Sequence, residues 1–209
     1  SVEENSERTP IPYRIPPGVN RQLAAVSNGQ TVALNEQALS MKVCTLSDGD
    51  ARAIYKEVDV DMRQFNYLRM FVHGESVVGA APIKNGDLRA FIRVGTDFTS
   101  NYYEYEVPIA ITQPGTTDEN LIWPAANYFN ITLNDLVKAK LARDKAGVAT
   151  YVPYQTTDSS GHVIVILGNP NLGDAKNVLL GILNPKKTGL NPGDDGVPKC
   201  AEVWFNELR

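Results

Sequence analysis

Few groups in this sequence have the types and spacing that catalysis needs. Asp59 and Asp61 lie two residues apart, so a strand would place both carboxylates on one face, where they suit a cation or an acid–base pair. His73 lies in a strand-like run and is a candidate general base, but a lone strand histidine without a nucleophile motif is more often structural. His162 follows a glycine turn and is typical of a cap or a surface residue. The sequence contains no GxSxG, GxxxxGK[ST], HExxH or strand-following GxGxxG motif, and we expect no enzyme activity.

Two acidic loops form the other candidate site. Asp48 and Asp50 lie in one loop, and Asp194 and Asp195 lie in another. If the first and last strands of the domain pair, the two loops approach the same end of the fold, where their oxygen atoms suit calcium. Neither loop has the D-x-[DN]-x-[DN]-G spacing of a dedicated calcium loop. We therefore expect no cofactor, with a structural calcium ion as the open alternative.

The two cysteines, Cys44 and Cys200, allow two interpretations. Neither belongs to a CxxC pair, and two thiols with two histidines do not make a convincing zinc cluster. They are either two small buried hydrophobic residues or one disulfide, which requires an oxidising compartment. Cys44 ends the first strand-like run and Cys200 begins the last, so antiparallel pairing of those strands would place the thiols opposite each other.

Aromatic residues provide a possible recognition surface. Most are close together in the sequence, and two tryptophans stand apart: Phe98, Tyr102, Tyr103, Tyr105, Tyr128, Phe129, Trp123 and Trp204. Aromatic rings at period 2 usually fill a core, but rings on a sandwich face can also stack on sugars. Glu104 and Glu106 alternate with the tyrosines, which predicts one buried face and one solvated face.

Alternating short segments must position these groups. Strands are predicted at about 37–46, 67–74, 87–97, 103–111, 128–133, 149–154, 162–167, 177–183 and 200–208. One helix is predicted at 134–145, with Asn134 as its N-cap. Because the chain has no βαβ rhythm, the pattern predicts a mainly all-β fold. We expect an antiparallel two-sheet β-sandwich of jelly-roll or galactose-binding-like type with one short helix.

The chain divides into two parts. Residues 1–35 are rich in proline and lack any helical or strand period, which favours an extended arm. This arm either links domains or lies along the surface of the next one. Residues 37–209 form the predicted sandwich domain.

Composition limits the possible functions. The chain has 209 residues, a net charge of −4, 43% hydrophobic residues and 21% charged residues, which is ordinary for a globular domain. It lacks the basic patch that nucleic acid requires and any apolar run of transmembrane length. The chain begins without methionine and ends in a strand-like run, so we expect a piece of a longer protein.

Several stretches resemble one known family. They are PYRIPPGVNR at 12–21, NEQALS at 35–40, DARAIYK at 50–56, FVHGE at 71–75, NPNLG at 169–173 and AEVWFNELR at 201–209. Their order and spacing are similar to the SprA (Sov) family, the outer-membrane translocons of the type IX secretion system. The resemblance covers nearly the whole chain.

This resemblance implies a role in protein secretion and gliding motility. The family forms a large outer-membrane barrel through which folded cargo leaves the cell, with soluble domains inserted between barrel strands. The implied partners are other domains of the parent barrel, accessory proteins or cargo, and the implied location is the periplasmic or cell-surface side of the outer membrane. An extracytoplasmic location also favours a Cys44–Cys200 disulfide. A carbohydrate-binding module at the cell surface is the alternative function.

Overall fold

The computed structural model describes residues 1–21, 23–25, 31–189 and 191–209. The strands, labelled in chain order, are β1 Val2–Glu3, β2 Leu23–Ala25, β3 Thr31–Ala33, β4 Ala38–Leu46, β5 Ala51–Val60, β6 Tyr67–Ser76, β7 Arg89–Gly95, β8 Tyr102–Pro108, β9 Phe129–Thr132, β10 Tyr154–Thr157, β11 Val163–Leu167, β12 Ala175–Leu183 and β13 Lys199–Asn206. The helices are α1 Glu119–Ile122 and α2 Leu133–Lys145. Neither of these described helices is long and apolar enough to cross a membrane.

Two antiparallel sheets pack face to face. One has five strands in the order β1-β4-β13-β6-β9, and the other has six in the order β10-β11-β8-β7-β12-β5. A separate hairpin joins β2 to β3. The predicted mainly β, antiparallel two-sheet sandwich is confirmed.

The core lies between the two sheets and follows the alternation of the strands. Met70 and Val72 of β6 face Ile92 and Val94 of β7, and all four are at most 3% exposed. Such fully buried side chains each contribute about 1.5–3 kcal/mol relative to exposure. The period-2 apolar pattern of these strands therefore predicts the core correctly.

Three local predictions were wrong. β5 was not predicted, because its side chains from Ala51 to Glu57 are exposed on both faces and show no apolar alternation. The strand expected at 149–154 begins only at Tyr154, since the backbone turns where Val152 N–H donates to the carbonyl of Ala149. Helix α2 begins at Leu133, and its N-cap Thr132 lies two residues before the expected cap Asn134.

The N-terminal arm packs on the outer face of the five-stranded sheet. Ile11 and Tyr13 are 1% and 4% exposed and form a second core with Trp123 and Trp204. Strand β1 also extends the sheet by pairing with β4. Of the two roles predicted for residues 1–35, this packing favours an arm that lies along the sandwich. Residues 22 and 26–30 of the arm lie outside the described residues.

Candidate functional site

The outer faces of the two sheets carry the groups of interest. We call the outer face of the five-stranded sheet, where residues 8–15 of the arm lie, the covered face. We call the outer face of the six-stranded sheet the open face.

His73 is a structural residue of the covered face. Its side chain is fully buried, and its ring stacks on Trp204 with centroids 4.0 Å apart. Nδ1 lies 2.8 Å from the carbonyl oxygen of Ile122, and Nε2 lies 3.2 Å from Oε2 of Glu75. Both ring nitrogens are therefore engaged within the fold, and the structural interpretation of His73 accounts for these contacts.

Arg8 fastens the arm to this face by contacting carboxylates from three segments. Its guanidinium lies 2.5 Å from Glu75, 2.9 Å from Glu202 and 3.1 Å from Glu3. It also lies 5.0 Å from the ring centroid of Trp204. Burial acts to raise the pKa of Glu75, but hydrogen bonds from His73 and Arg8 outweigh it and hold that pKa below its usual value.

Tyr13 and Trp123 also hold the arm against the sheet. The Tyr13 ring lies 6.1 Å from Trp123 and 6.0 Å from Trp204, centroid to centroid. Its hydroxyl accepts from Asn206 Nδ2 at 2.8 Å and donates to Glu36, and burial with this carboxylate raises the pKa of Tyr13. Trp123 Nε1 donates to the carbonyl of Arg14 at 2.7 Å. Both tryptophans therefore hold the arm and are buried within the fold, not presented to a ligand.

The open face has a different composition. Strand register places one row of side chains across all six strands: Tyr55, Leu179, Arg93, Glu104, Val165 and Gln155. The two ends of this row, Tyr55 and Gln155, are exposed, whereas the residues between them are half-buried or, in the case of Glu104, buried.

Two arginine–glutamate pairs lie at the centre of the open face. Arg93 contacts Glu104 at 2.6 Å, and Arg89 contacts Glu106 at 2.8 Å. Glu104 and Glu106 are 8% and 6% exposed, so the prediction that they face solvent was wrong. An arginine side chain lies against each of the two carboxylates, and the guanidinium of Arg93 also lies 3.8 Å from the ring centroid of Tyr102. Burial raises the pKa of Glu104, although Arg93 opposes the shift.

An aromatic pair stands at one side of the open face. Tyr55 is 61% exposed, and its ring centroid lies 5.1 Å from that of Phe98. Sequence analysis singled out Phe98 but missed Tyr55, because β5 itself was missed. Of the other predicted aromatics, Tyr103, Tyr105 and Phe129 lie in the inter-sheet core.

The remaining candidate catalytic groups are not brought together. Asp59 pairs with Lys176 at 2.6 Å, whereas Asp61 pairs with Arg63 at 2.7 Å. The hydrogen bond from Arg63 lowers the pKa of Asp61. His162 lies elsewhere, with Nδ1 2.8 Å from the hydroxyl of Tyr105.

The two acidic loops do meet, but through backbone and lysine contacts. Gly49 N–H donates to the carbonyl of Asn184 at 2.9 Å, and Asp48 accepts from the N–H of Lys187. Asp195 pairs with Lys199 at 2.6 Å. Among the described residues, no group of three or more histidine, cysteine, aspartate or glutamate side chains could hold a metal ion. The structure therefore offers no support for the calcium alternative.

Cys44 and Cys200 lie side by side and their sulfur atoms are joined. They belong to the paired strands β4 and β13, next to a shift in register between Lys199 and Ala201. That the two cysteines form a disulfide in the protein stays a prediction, which titration of free thiols would test.

A cleft of about 650 Å³ opens beside the arm. Charges of both signs line it, including Arg14, Arg21, Glu36 and Glu119. Glu36 already accepts a hydrogen bond from the hydroxyl of Tyr13. The cleft contains no histidine, cysteine, serine–base pair or carboxylate pair arranged as a catalytic centre among the described residues.

Comparison with known proteins identifies the family. The SprA_N family, described as motility related/secretion protein, matches residues 1–209. No curated protein matches the chain. A solved structure described as an exo-beta-agarase is similar over 100% of this chain and 23% of its own, at 12% identity and a TM-score of 0.40. The chain thus spans about a quarter of that protein's length, and a likeness this low carries no argument. Because the family match covers every residue, the chain belongs to the SprA_N family of motility-related secretion proteins.

Proposed function

We propose that this chain is a non-catalytic interaction domain of an outer-membrane protein-export channel of the type IX system, which also serves gliding motility. Family membership supports a secretion role for the whole chain. Its sandwich, which we assign to the jelly-roll type, would contact other domains of the parent barrel, accessory proteins or cargo. It would do so on the periplasmic or cell-surface side of the outer membrane.

The observation that carries this proposal is the contrast between the two outer faces. The arm buries the aromatic and charged groups of the covered face, whereas on the open face Tyr55 is 61% exposed and packs on the half-buried ring of Phe98. An exposed tyrosine packed on a second aromatic ring beside charged side chains is typical of an interaction surface. The open face is therefore the surface that we assign to a partner.

A secretion assay in the full-length protein tests this assignment. The double substitution Tyr55→Ala and Phe98→Ala removes the aromatic pair, and we expect at least a severalfold loss of secreted cargo. The control is Tyr151→Ala, because Tyr151 is also exposed but lies outside the open face. Normal secretion by a stably inserted double variant would contradict the proposal. An epitope inserted in the 158–161 turn and probed on whole cells would show which side of the membrane the domain occupies.

Carbohydrate binding is the second candidate, and one observation favours it. The rings of Tyr55 and Phe98 lie next to Arg93, whose Nη1 donates to the carbonyl of Phe98. Exposed rings with nearby hydrogen-bonding groups can stack on a sugar and orient it. A glycan array on the 209-residue chain tests this function: selective binding that Tyr55→Ala abolishes supports it, and the absence of selective binding excludes the tested sugars.

A further inference from the structure

Strand β5 is an end strand of unusual length and exposure. It ends the six-stranded sheet and has ten residues, against four in each of the end strands β9 and β10 and two in β1. Its partner β12 pairs with it on one side from Ala51 to Val60. The other side of its backbone therefore presents unpaired N–H and C=O groups, which are a template for another strand.

The usual protections of an edge strand are mostly missing here. β5 contains no proline, and its register shift lies at the far end, between Glu57 and Val60. Ile54 and Tyr55 are 42% and 61% exposed, and these β-branched and aromatic side chains favour strand pairing. What remains is charge, which discourages some partners and selects others.

The charges of β5 are divided between its two faces. Arg52 and Lys56 flank Ile54 on one face, and Ala53, Tyr55 and Glu57 lie on the other. Arg52 lies 3.9 Å from Asp50 with both side chains about half exposed, a contact that stabilises little. An added strand would place its own residues directly opposite these side chains.

We propose that β5 binds an extended segment of a partner protein by strand addition, and that this segment has the pattern acid-x-apolar-x-acid. The two acidic residues would lie opposite Arg52 and Lys56, and the apolar residue would lie opposite Ile54. Backbone hydrogen bonds would provide the general affinity, and these cross-strand pairs would provide the specificity.

A second copy of this chain fits the edge less well. In two-fold antiparallel pairing, a register centred on Ile54 places Arg52 opposite Lys56, and one centred on Lys56 places that residue opposite itself. A register centred on Tyr55 places Val58 opposite Arg52 and leaves both cations without an opposing acid. Charge complementarity thus favours an acidic partner segment over self-association.

This inference deepens the proposed function, because it names the chemistry of a partner for the same domain. Peptide binding to the 209-residue chain tests it apart from secretion. The probe is a ten-residue peptide with a Glu-Thr-Val-Thr-Glu centre, compared with a lysine-for-glutamate version and a version with proline at alternate positions. Calorimetry measures affinity, and backbone hydrogen exchange locates the binding.

We expect the acidic peptide to bind at least tenfold more tightly than the lysine peptide and to protect β5 amides. Combined Arg52→Glu and Lys56→Glu substitutions should reverse that preference. Lys138→Glu, on the exposed side of α2, is the matched control and should leave it unchanged. The inference is overturned if the acidic peptide does not bind, if the proline peptide binds equally well, or if β5 protection rises with protein concentration alone, which would indicate a second copy. A failed peptide experiment with impaired secretion by the Tyr55/Phe98 variant would leave the proposed function standing.

Discussion

On the covered face, Trp204 and His73 lie beneath the arm and are not exposed, whereas on the open face Tyr55 stands beside Phe98 with most of its surface in solvent. Both faces carry aromatic rings next to arginine–glutamate pairs. The difference is that one set of rings already has a partner within the chain. Aromatic content alone therefore does not identify an interaction surface, because a segment of the same chain can bury the rings.

The buried carboxylates of the two faces differ in the same way. Glu75 receives hydrogen bonds from Arg8 and His73, and its pKa lies below the usual value. Arg93 is the one basic group among the described residues that lowers the pKa of Glu104, and burial outweighs it, so that this pKa is raised. The surroundings of Glu75 thus favour its charged form, whereas burial disfavours the charged form of Glu104.

The largest expected effect comes from removing the arginine that fastens the arm. Arg8→Ala leaves Glu75 and Glu202 buried without their cation, and breaking such a buried pair costs about 3–5 kcal/mol. Urea unfolding measures the loss of stability. Arg52→Ala on β5 is the control, and we expect it to change stability by less than about 0.5 kcal/mol. Equal effects of the two substitutions would mean that the buried ion pairs of Arg8 stabilise the protein no more than an exposed arginine does.

The next effect concerns the five-stranded sheet alone, because the chain has two cysteines and both lie in it. A bond between Cys44 and Cys200 closes a long loop, and its removal by Cys44→Ala with Cys200→Ala should cost about 2–4 kcal/mol. Thermal unfolding with and without reductant measures this effect. Titration of two free thiols in the unreduced, denatured protein would contradict the bond.

The pH-dependent contributions of Glu75 and Glu104 to stability should have opposite signs. Because the folded-state pKa of Glu75 is lowered, its stabilisation is present above the ordinary glutamate pKa of about 4.3 and is lost as pH falls through the lowered value. Because that of Glu104 is raised, its charge opposes folding at neutral pH, and this cost disappears as pH falls.

Two matched substitutions test these signs. Glu75→Gln should destabilise the protein by about 1–3 kcal/mol at pH 7, and this difference should shrink towards pH 3. Glu104→Gln should cost less at pH 7, and its relative cost should grow as pH falls. Unfolding free energies of both variants and the unchanged protein, measured from pH 7 to pH 3, test the two signs. A Glu104→Gln loss at pH 7 as large as that of Glu75→Gln would contradict the assignment.

The smallest expected effect comes from removing one methyl group from a buried isoleucine and from an exposed one. Ile11→Val creates a small cavity under the arm and should cost about 0.5–1.5 kcal/mol, because Ile11 is 1% exposed. Ile54→Val on β5 should be nearly neutral, since Ile54 is 42% exposed. Chemical denaturation measures both changes. A larger loss for Ile54→Val would mean that β5 is covered in solution.

Sequence reasoning predicted those elements whose patterns are local. Strands β6, β7 and β8 alternate apolar and polar residues, and the helix near 134–145 carries its apolar positions at helical spacing. It missed β5, which is exposed on both faces and is held in the sheet by pairing with β12, more than 110 residues later. Missing β5 also meant missing Tyr55, the exposed half of the aromatic pair.

By itself, the sequence determined the two-sheet β class, the core positions of the alternating strands and the family, because strand periodicity and motif order are readable along the chain. Tertiary structure decided which outer face is occupied. Arg8 meets Glu75 from 67 residues away, and Tyr13 meets Asn206 from 193 residues away. No local pattern encodes such contacts, because the burial of a side chain depends on which distant segment packs on it.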